Sequence, residues 1–259
     1  MRRLSPPIVL SFLLLLALAP AAGADRRYFV QSYTPYLAPA GNLELETITV
    51  ARSGQNDLPG TEWQSRFELE YAVADRFTAA AYLNFVQDAY ESAPMRFDGP
   101  SLEFIYQLAP PTTLPVDPAA YLEVRANGDE LEFEPKLLLA RRVYRLVGVM
   151  NVIGEFEHHT AGDEAGETEK NLLVTAGFSR EIGRTFAFGL ESVYERGFGD
   201  ESEHPSSWLL GPTVNFQTTR VQLALGWHPQ ISGSPSTHGN LNLADFPRSE
   251  VRLILGVNL

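Results

Sequence analysis

The feature that most limits how this chain can fold is the alternation of apolar and polar residues that recurs after residue 41. In "WQSRFELEYAV", Phe67 and Leu69 fall on one face of an extended strand, and Glu68 and Glu70 fall on the other. Period-two alternation bounded by turn residues predicts half-buried β-strands, and helical periodicity is weak throughout. Twelve stretches show the pattern, at roughly 42–52, 63–73, 77–87, 101–108, 121–127, 131–141, 146–157, 170–178, 185–195, 207–216, 220–227 and 248–259.

The connections between these stretches alternate in length. Tight turns such as "ADR" and "QTTR" alternate with longer acidic or Gly/Pro-rich loops, although "APPTTLPVDPA" is long and "NGDE" is short for its place. Outer-membrane barrels have short periplasmic turns and long outer loops. The sequence therefore predicts an all-β, 12-stranded antiparallel transmembrane β-barrel over residues 42–259, with both termini periplasmic. A secreted soluble sandwich or lipocalin-type barrel is the alternative, because alternation alone does not separate the two.

The first residues resemble an export signal. Arg2 and Arg3 precede the apolar "IVLSFLLLLALA", and small residues follow, which predicts a cleaved signal peptide over residues 1–24. The whole chain contains no cysteine, which favours the envelope of a Gram-negative bacterium over a disulfide-rich secreted module. We expect residues 25–41 to form a periplasmic or lumen segment ahead of the barrel, and the protein to reside in the outer membrane.

The chain ends inside a strand pattern, in "VRLILGVNL". In a closed barrel the last strand pairs with the first, and its apolar face meets lipid. Expected partners are therefore outer-membrane lipid, lipopolysaccharide and the barrel-assembly machinery. Nucleic acid is not expected as a partner, because the net charge of −12 becomes −14 once Arg2 and Arg3 are removed.

The polar face of the predicted strands carries long charged side chains of both signs. Such residues are expected to line the lumen, either as a salt-bridged filling or as the wall of a narrow pore that prefers cations. Aromatic residues at the strand ends are expected at the two membrane interfaces. The predicted lumen residues are Arg66, Glu68, Glu70, Glu103, Glu123, Arg125, Glu132, Glu134, Lys136, Glu191 and Arg252, and the interface aromatics are Trp63, Tyr71, Tyr106, Phe186, Tyr194, Trp208, Phe216 and Trp227.

Two short phrases, "YLAPAGNLELET" and "LEFEPKLLLARRV", together with the twelve-strand pattern, resemble the putative phenol-degradation meta-pathway outer-membrane proteins and related barrels of unknown function. The resemblance implies a channel or transporter for small, often hydrophobic compounds. It implies no catalytic residue and no cofactor.

The predicted function is a narrow channel or transporter for small solutes, and a non-conducting structural or surface-interaction barrel is the alternative. An outer-membrane hydrolase is less favoured, so we predict no enzyme activity and no catalytic residue. The five histidines lie in or near predicted outer loops, but no nucleophile and base show a hydrolase spacing. His158 and His159 are adjacent, and neighbours on a strand point to opposite faces, so no metal site is predicted there.

Overall fold

The computed structural model describes residues 27–56, 58–90, 93–162, 165–198 and 204–259, so the predicted signal peptide lies outside the described residues. The alternating stretches form twelve strands in the described part of the chain. They are β1 (Leu43–Ser53), β2 (Thr61–Ala74), β3 (Phe77–Gln87), β4 (Arg96–Gln107), β5 (Asp117–Ala126), β6 (Glu130–Val143), β7 (Leu146–His159), β8 (Thr168–Ile182), β9 (Phe186–Gly197), β10 (Ser206–Gln217), β11 (Val221–Ser234) and β12 (Ser249–Asn258).

Every strand pairs antiparallel with its neighbours in sequence, and β1 pairs with β12 to close the barrel. The closing register places Leu45 opposite Val257 and Ile48 opposite Ile254. Closure satisfies the backbone groups of both terminal strands, which would otherwise form open edges. The predicted all-β, 12-stranded antiparallel barrel is confirmed.

The two ends of the barrel differ in their connections. At one end β6 and β7 are joined by residues 144–145 alone, and β1 begins and β12 ends there. At the opposite end β11 and β12 are joined by residues 235–248. We call these the short-turn end and the long-loop end. The connection between β4 and β5, at the short-turn end, is long, as the sequence predicted.

The outer surface of the barrel carries an apolar belt. Large apolar side chains on this surface are mostly between about a third and slightly more than half exposed, such as Phe67, Leu69, Leu102 and Leu190. So large a continuous apolar surface is not stable against water and indicates a lipid-facing wall. No helix among the described residues is long and apolar enough to cross a membrane.

The interior of the barrel is packed. Each of the twelve strands contributes at least one inward side chain that is no more than 3% exposed, so the packing involves the whole circumference of the barrel. One such residue per strand, from β1 to β12, is Ile48, Glu68, Tyr82, Glu103, Tyr121, Leu138, Asn151, Thr175, Glu191, Thr213, Ala224 and Ile254.

Strand β7 is apolar on both faces, so the alternation of its residues does not indicate which face points inward. In the structure Val147 and Val149 point inward, and Leu146 and Met150 point outward. Two of the prolines inside strands, Pro135 and Pro212, lie where pairing with one neighbouring strand is interrupted, as expected for a residue without an N–H donor. The β6–β7 register is interrupted between Phe133 and Lys136, around Pro135, and the β10–β11 register between Leu209 and Thr213, around Pro212.

Candidate functional site

The interior of the barrel is occupied by residues 27–42, which we call the lumen segment. Its side chains and backbone contact strands on all sides of the barrel. Arg27 contacts Glu46 of β1, the Tyr28 hydroxyl donates to Glu181 of β8 at 2.5 Å, and Tyr36 donates to Asp117 of β5 at 2.9 Å. Only a segment inside the barrel reaches all of these strands.

The lumen segment enters and leaves at the short-turn end. Its deepest point is near Val30 and Gln31, where Gln31 donates to Glu250 close to the start of β12. The chain then returns, and the Ala40 N–H donates to Asp75, in the turn between β2 and β3, at 3.1 Å. The segment therefore forms a single excursion into the lumen from one side.

One carboxylate holds the deepest part of the lumen segment. The side chain of Glu191, on β9, accepts backbone N–H groups from Val30 at 3.2 Å, Gln31 at 3.1 Å and Ser32 at 2.6 Å. Consecutive N–H groups that converge on one anion form a nest, a recurrent anion-binding arrangement. Glu191 is fully buried, so the three donors replace the water that its charge has lost.

His228 lies beside this carboxylate, with its Nε2 3.3 Å from Glu191 Oε2, and both side chains are fully buried. The sequence interpretation placed His228 near an outer loop, and this was wrong. Strand β11 continues to Ser234 instead of ending at Trp227, because its pairing with β10 extends beyond the apolar belt. His228 therefore belongs to the interior face of the strand.

Apolar contacts also hold the lumen segment against the barrel wall. Val30 packs in a buried cluster with Ile48, Tyr82 and Ile254, and Phe29 packs with Val147. The Phe29 ring lies directly over Gly177, where an added Cβ would come within 2.4 Å of a ring carbon. The absence of a side chain at Gly177 is therefore required for the observed path of the segment.

The predicted lumen residues all lie on the interior face, buried or half-buried. Arg66 pairs with Glu123, Lys136 pairs with Glu134, and Glu103 accepts the hydroxyls of Tyr82 and Tyr121. Nearer the long-loop end, Arg125 pairs with Asp98 at 2.6 Å and Glu132 at 2.6 Å, and Arg252 pairs with Glu250 at 3.2 Å. Glu68, Glu70 and Glu191 contact or face the lumen segment.

A small cavity remains between the lumen segment and the barrel wall toward the short-turn end. Its volume is about 30 Å³. The Arg27 guanidinium lies beside it, 3.0 Å from Glu46 and 4.0 Å from Glu68. The acidic side chains that line the cavity are Glu44, Glu46, Glu68 and Glu70.

The predicted interface aromatics all lie on the outer surface. Trp63, Tyr71, Tyr106, Phe186, Tyr194, Trp208 and Trp227 are exposed, and Phe216 is half-exposed. Trp208 donates its indole N–H to Ser192 at 2.6 Å. Their role as membrane anchors stays a prediction.

Sequence reasoning missed several interior residues. Glu44 and Glu46 lie in β1, which was recognised only as a strand, and Tyr82 and Tyr121 were not singled out. The signal that could have revealed them is the alternation itself, since Glu44 and Glu46 occupy the same face as the predicted lumen carboxylates once β1 pairs with β2.

A group of three titratable side chains lies at the long-loop end, where Glu130, Glu157 and His159 each offer a possible metal-ligand atom within 4.8 Å of the others. His158 points away and its Nδ1 lies 3.0 Å from the Thr168 hydroxyl, in agreement with opposite orientations for adjacent residues on a strand. The sequence predicted no metal site here, and His158 is outside the cluster.

Comparison with known proteins shows the fold. A family of unknown function, DUF6662, matches residues 135–259, which is the second half of the barrel. No curated protein matches the chain.

Solved outer-membrane channels share the barrel. An outer-membrane channel, COG4313, from Pseudomonas putida F1 is 10% identical and superposes with a TM-score of 0.64 over 89% of this chain and 100% of that one. The NanC porin is 10% identical, with a TM-score of 0.55 over 83% of this chain and 98% of that one. The KdgM porin is 7% identical, with a TM-score of 0.54 over 83% and 99%. At these identities the likeness shows the fold alone.

Proposed function

We propose that this protein is a narrow outer-membrane channel for small solutes, closed by its own lumen segment. The observation that carries the proposal is the path of residues 27–42. The material that fills the barrel is a single segment that enters and leaves on one side, and its contacts with the strands are non-covalent. A filling of this kind can leave without unfolding the barrel, because the wall is closed by backbone pairing alone.

Three further observations support the proposal. The outer belt is apolar. The interior wall carries charged residues, which would line an aqueous path once the lumen segment leaves. The fold is shared with proteins described as porins or channels. One of them, the KdgM porin, is described in complex with a disordered oligogalacturonate. For this chain we propose a preference for small solutes and cations, since acids outnumber bases among the predicted lumen residues.

On this proposal the signal peptide directs export, the short-turn end faces the periplasm, and the lumen segment acts from there. Outer-membrane lipid and lipopolysaccharide then surround the apolar belt. The barrel-assembly machinery is the expected partner during insertion.

A reducible disulfide between the lumen segment and the barrel wall tests the proposal. Ser32 donates its hydroxyl to Thr175 on β8 at 2.8 Å, so cysteines at both positions are close enough for a disulfide. Because the chain has no other cysteine, the double variant Ser32→Cys with Thr175→Cys forms a single defined crosslink. Planar-bilayer recordings should show no conductance when it is oxidised and channel openings after reduction.

The single variant Ser32→Cys is the matched control and should conduct equally under both conditions. A second variant that lacks residues 27–38 should give large, steady conductance. Equal conductance of the oxidised and reduced double variant would contradict a gating role for the segment.

The alternative is a non-conducting structural barrel, and the packed interior favours it. Every strand contributes a fully buried inward side chain, as in a solid core. This alternative predicts that even the variant without residues 27–38 fails to conduct while it still folds as a barrel.

A further inference from the structure

Three carboxylates meet inside the barrel, in addition to Glu191. Glu68 and Glu70 lie on β2, and Glu103 lies on β4. Each offers one oxygen atom, and the three atoms lie within 4.8 Å of one another. Calcium binds oxygen ligands at about 2.3–2.6 Å, so the ligands of one ion lie at most about 5 Å apart. The spacing of the three carboxylates therefore fits a single ion.

Glu68 is the residue that points to a ligand. Its side chain is 1% exposed, yet neither carboxylate oxygen makes a hydrogen bond within the described residues. The closest described cation is Arg27, whose Nη2 lies 4.0 Å from Glu68 and 3.0 Å from Glu46. A buried carboxylate is costly unless it is paired and hydrogen-bonded, and here the nearest guanidinium is engaged more closely elsewhere.

Glu103 adds a second oxygen of the same kind. Its Oε2 accepts the hydroxyls of Tyr82 and Tyr121, and the Tyr121 contact measures 2.8 Å. Its Oε1 is buried and has no hydrogen-bond partner within the described residues. The two tyrosines thus fix the position of the carboxylate and leave one oxygen available as a ligand.

Space for an ion lies next to these groups. The cavity lined by Glu68 and Glu70 measures about 30 Å³, which exceeds the roughly 10–15 Å³ needed for one water-sized particle. Glu44 and Glu46 line the same cavity, and Arg27 is the basic side chain among its described lining residues. The excess of negative charge attracts a cation rather than an anion or a neutral solute.

We propose that Glu68, Glu70 and Glu103 bind one divalent cation of the calcium type in the lumen of the barrel. The ligands are all carboxylate oxygens, which suit hard cations, whereas zinc and copper sites are typically built with histidine or cysteine. Calcium also tolerates irregular geometry, while magnesium demands near-octahedral coordination and retains water. The site does not depend on whether the barrel conducts.

Terbium luminescence tests the site directly, because Tb³⁺ replaces Ca²⁺ and is excited through nearby tyrosines such as Tyr82 and Tyr121. The mature protein, folded in a neutral detergent, should bind Tb³⁺ with tyrosine-sensitised emission, and Ca²⁺ should displace it. Glu68→Gln should weaken Tb³⁺ binding at this site at least tenfold. Glu70→Gln, at a half-buried position, should weaken it several-fold.

Glu157→Gln is the matched control, since it removes a carboxylate from the cluster at the long-loop end. It should leave the tyrosine-sensitised signal of the lumen site unchanged. A heat-dependent shift in gel mobility verifies that each variant is folded. Loss of the signal in Glu157→Gln with retention in both Glu68→Gln and Glu70→Gln would overturn the proposal. Absence of binding to the folded wild-type protein would also overturn it and would indicate that protons alone neutralise the carboxylates.

Discussion

Two buried carboxylates inside the same barrel have opposite surroundings. Glu191 is fully buried, accepts three backbone N–H groups and lies 3.3 Å from a histidine nitrogen. Glu68 is 1% exposed and accepts no hydrogen bond from the described residues. The protein supplies hydrogen-bond donors to Glu191. Within the described residues it supplies none to the oxygens of Glu68.

The difference indicates a structural role for Glu191 and fits the binding role that we propose for Glu68. The donors to Glu191 come from the backbone of Val30, Gln31 and Ser32, so this carboxylate fixes the lumen segment in place. Glu68 lies among other carboxylates and beside a cavity, and the Arg27 guanidinium is 4.0 Å away. Buried polar groups in folded proteins are normally satisfied, and each exception calls for an explanation.

The largest expected effect is the loss of the Glu191 carboxylate. Glu191→Ala leaves three backbone N–H groups without their acceptor and removes the carboxylate that lies 3.3 Å from His228, so it should lower the free energy of unfolding by about 3–5 kcal/mol. Denaturant unfolding in lipid vesicles measures this change. Planar-bilayer conductance should rise in the same variant, because the lumen segment loses its main polar contact. An unchanged stability would show that the segment is held elsewhere.

The next largest effect is expected from the apolar contact between Phe29 of the lumen segment and Gly177 of the barrel wall. Gly177→Ala places a Cβ 2.4 Å from a Phe29 ring carbon, so the segment must shift, at a cost of about 1–3 kcal/mol. Gly148→Ala, on the adjacent strand, is the matched control because its added Cβ meets nothing within 4 Å. Unfolding and conductance should change in the first variant and stay close to wild type in the second. Equal effects would mean that Phe29 does not pack as described.

The sequence predicted the barrel well, because alternation reports at every position which side chain faces lipid. The same pattern placed residues such as Glu68 and Arg66 on the interior wall. It did not predict the path of residues 27–42, since that segment carries no periodicity. Its decisive contacts are also distant along the chain, with Val30 and Glu191 separated by 161 positions.

A hint of the packed interior was present in the sequence. Ile254 breaks the polar face of β12, and Val147 and Val149 make β7 apolar on both sides. In a hydrated lumen these residues are exceptions, but against an apolar filling they are expected. In the structure Ile254 packs in the cluster of Val30, and Val147 packs in the cluster of Phe29. Apolar residues on a predicted lumen face therefore indicate a plug.

The smallest effect gives the sharpest comparison, because the same isosteric change is made at both carboxylates. Glu191→Gln replaces one acceptor oxygen with an amide that faces N–H donors, so it should destabilise the protein by about 1–3 kcal/mol. Glu68→Gln removes a buried charge that accepts no hydrogen bond from the described part of the chain. In calcium-free buffer it should therefore leave stability unchanged or raise it by up to about 1 kcal/mol.

Added calcium should make the wild-type protein more stable than the Glu68→Gln variant. A ligand that binds only the folded state stabilises it by mass action, so calcium should raise the stability of the wild-type protein and have little effect on this variant. Denaturant unfolding of both proteins, with calcium and with a chelator, measures the difference. If Glu68→Gln destabilises the barrel in chelator as much as Glu191→Gln does, the two carboxylates are equivalent structural groups, and the contrast between them fails.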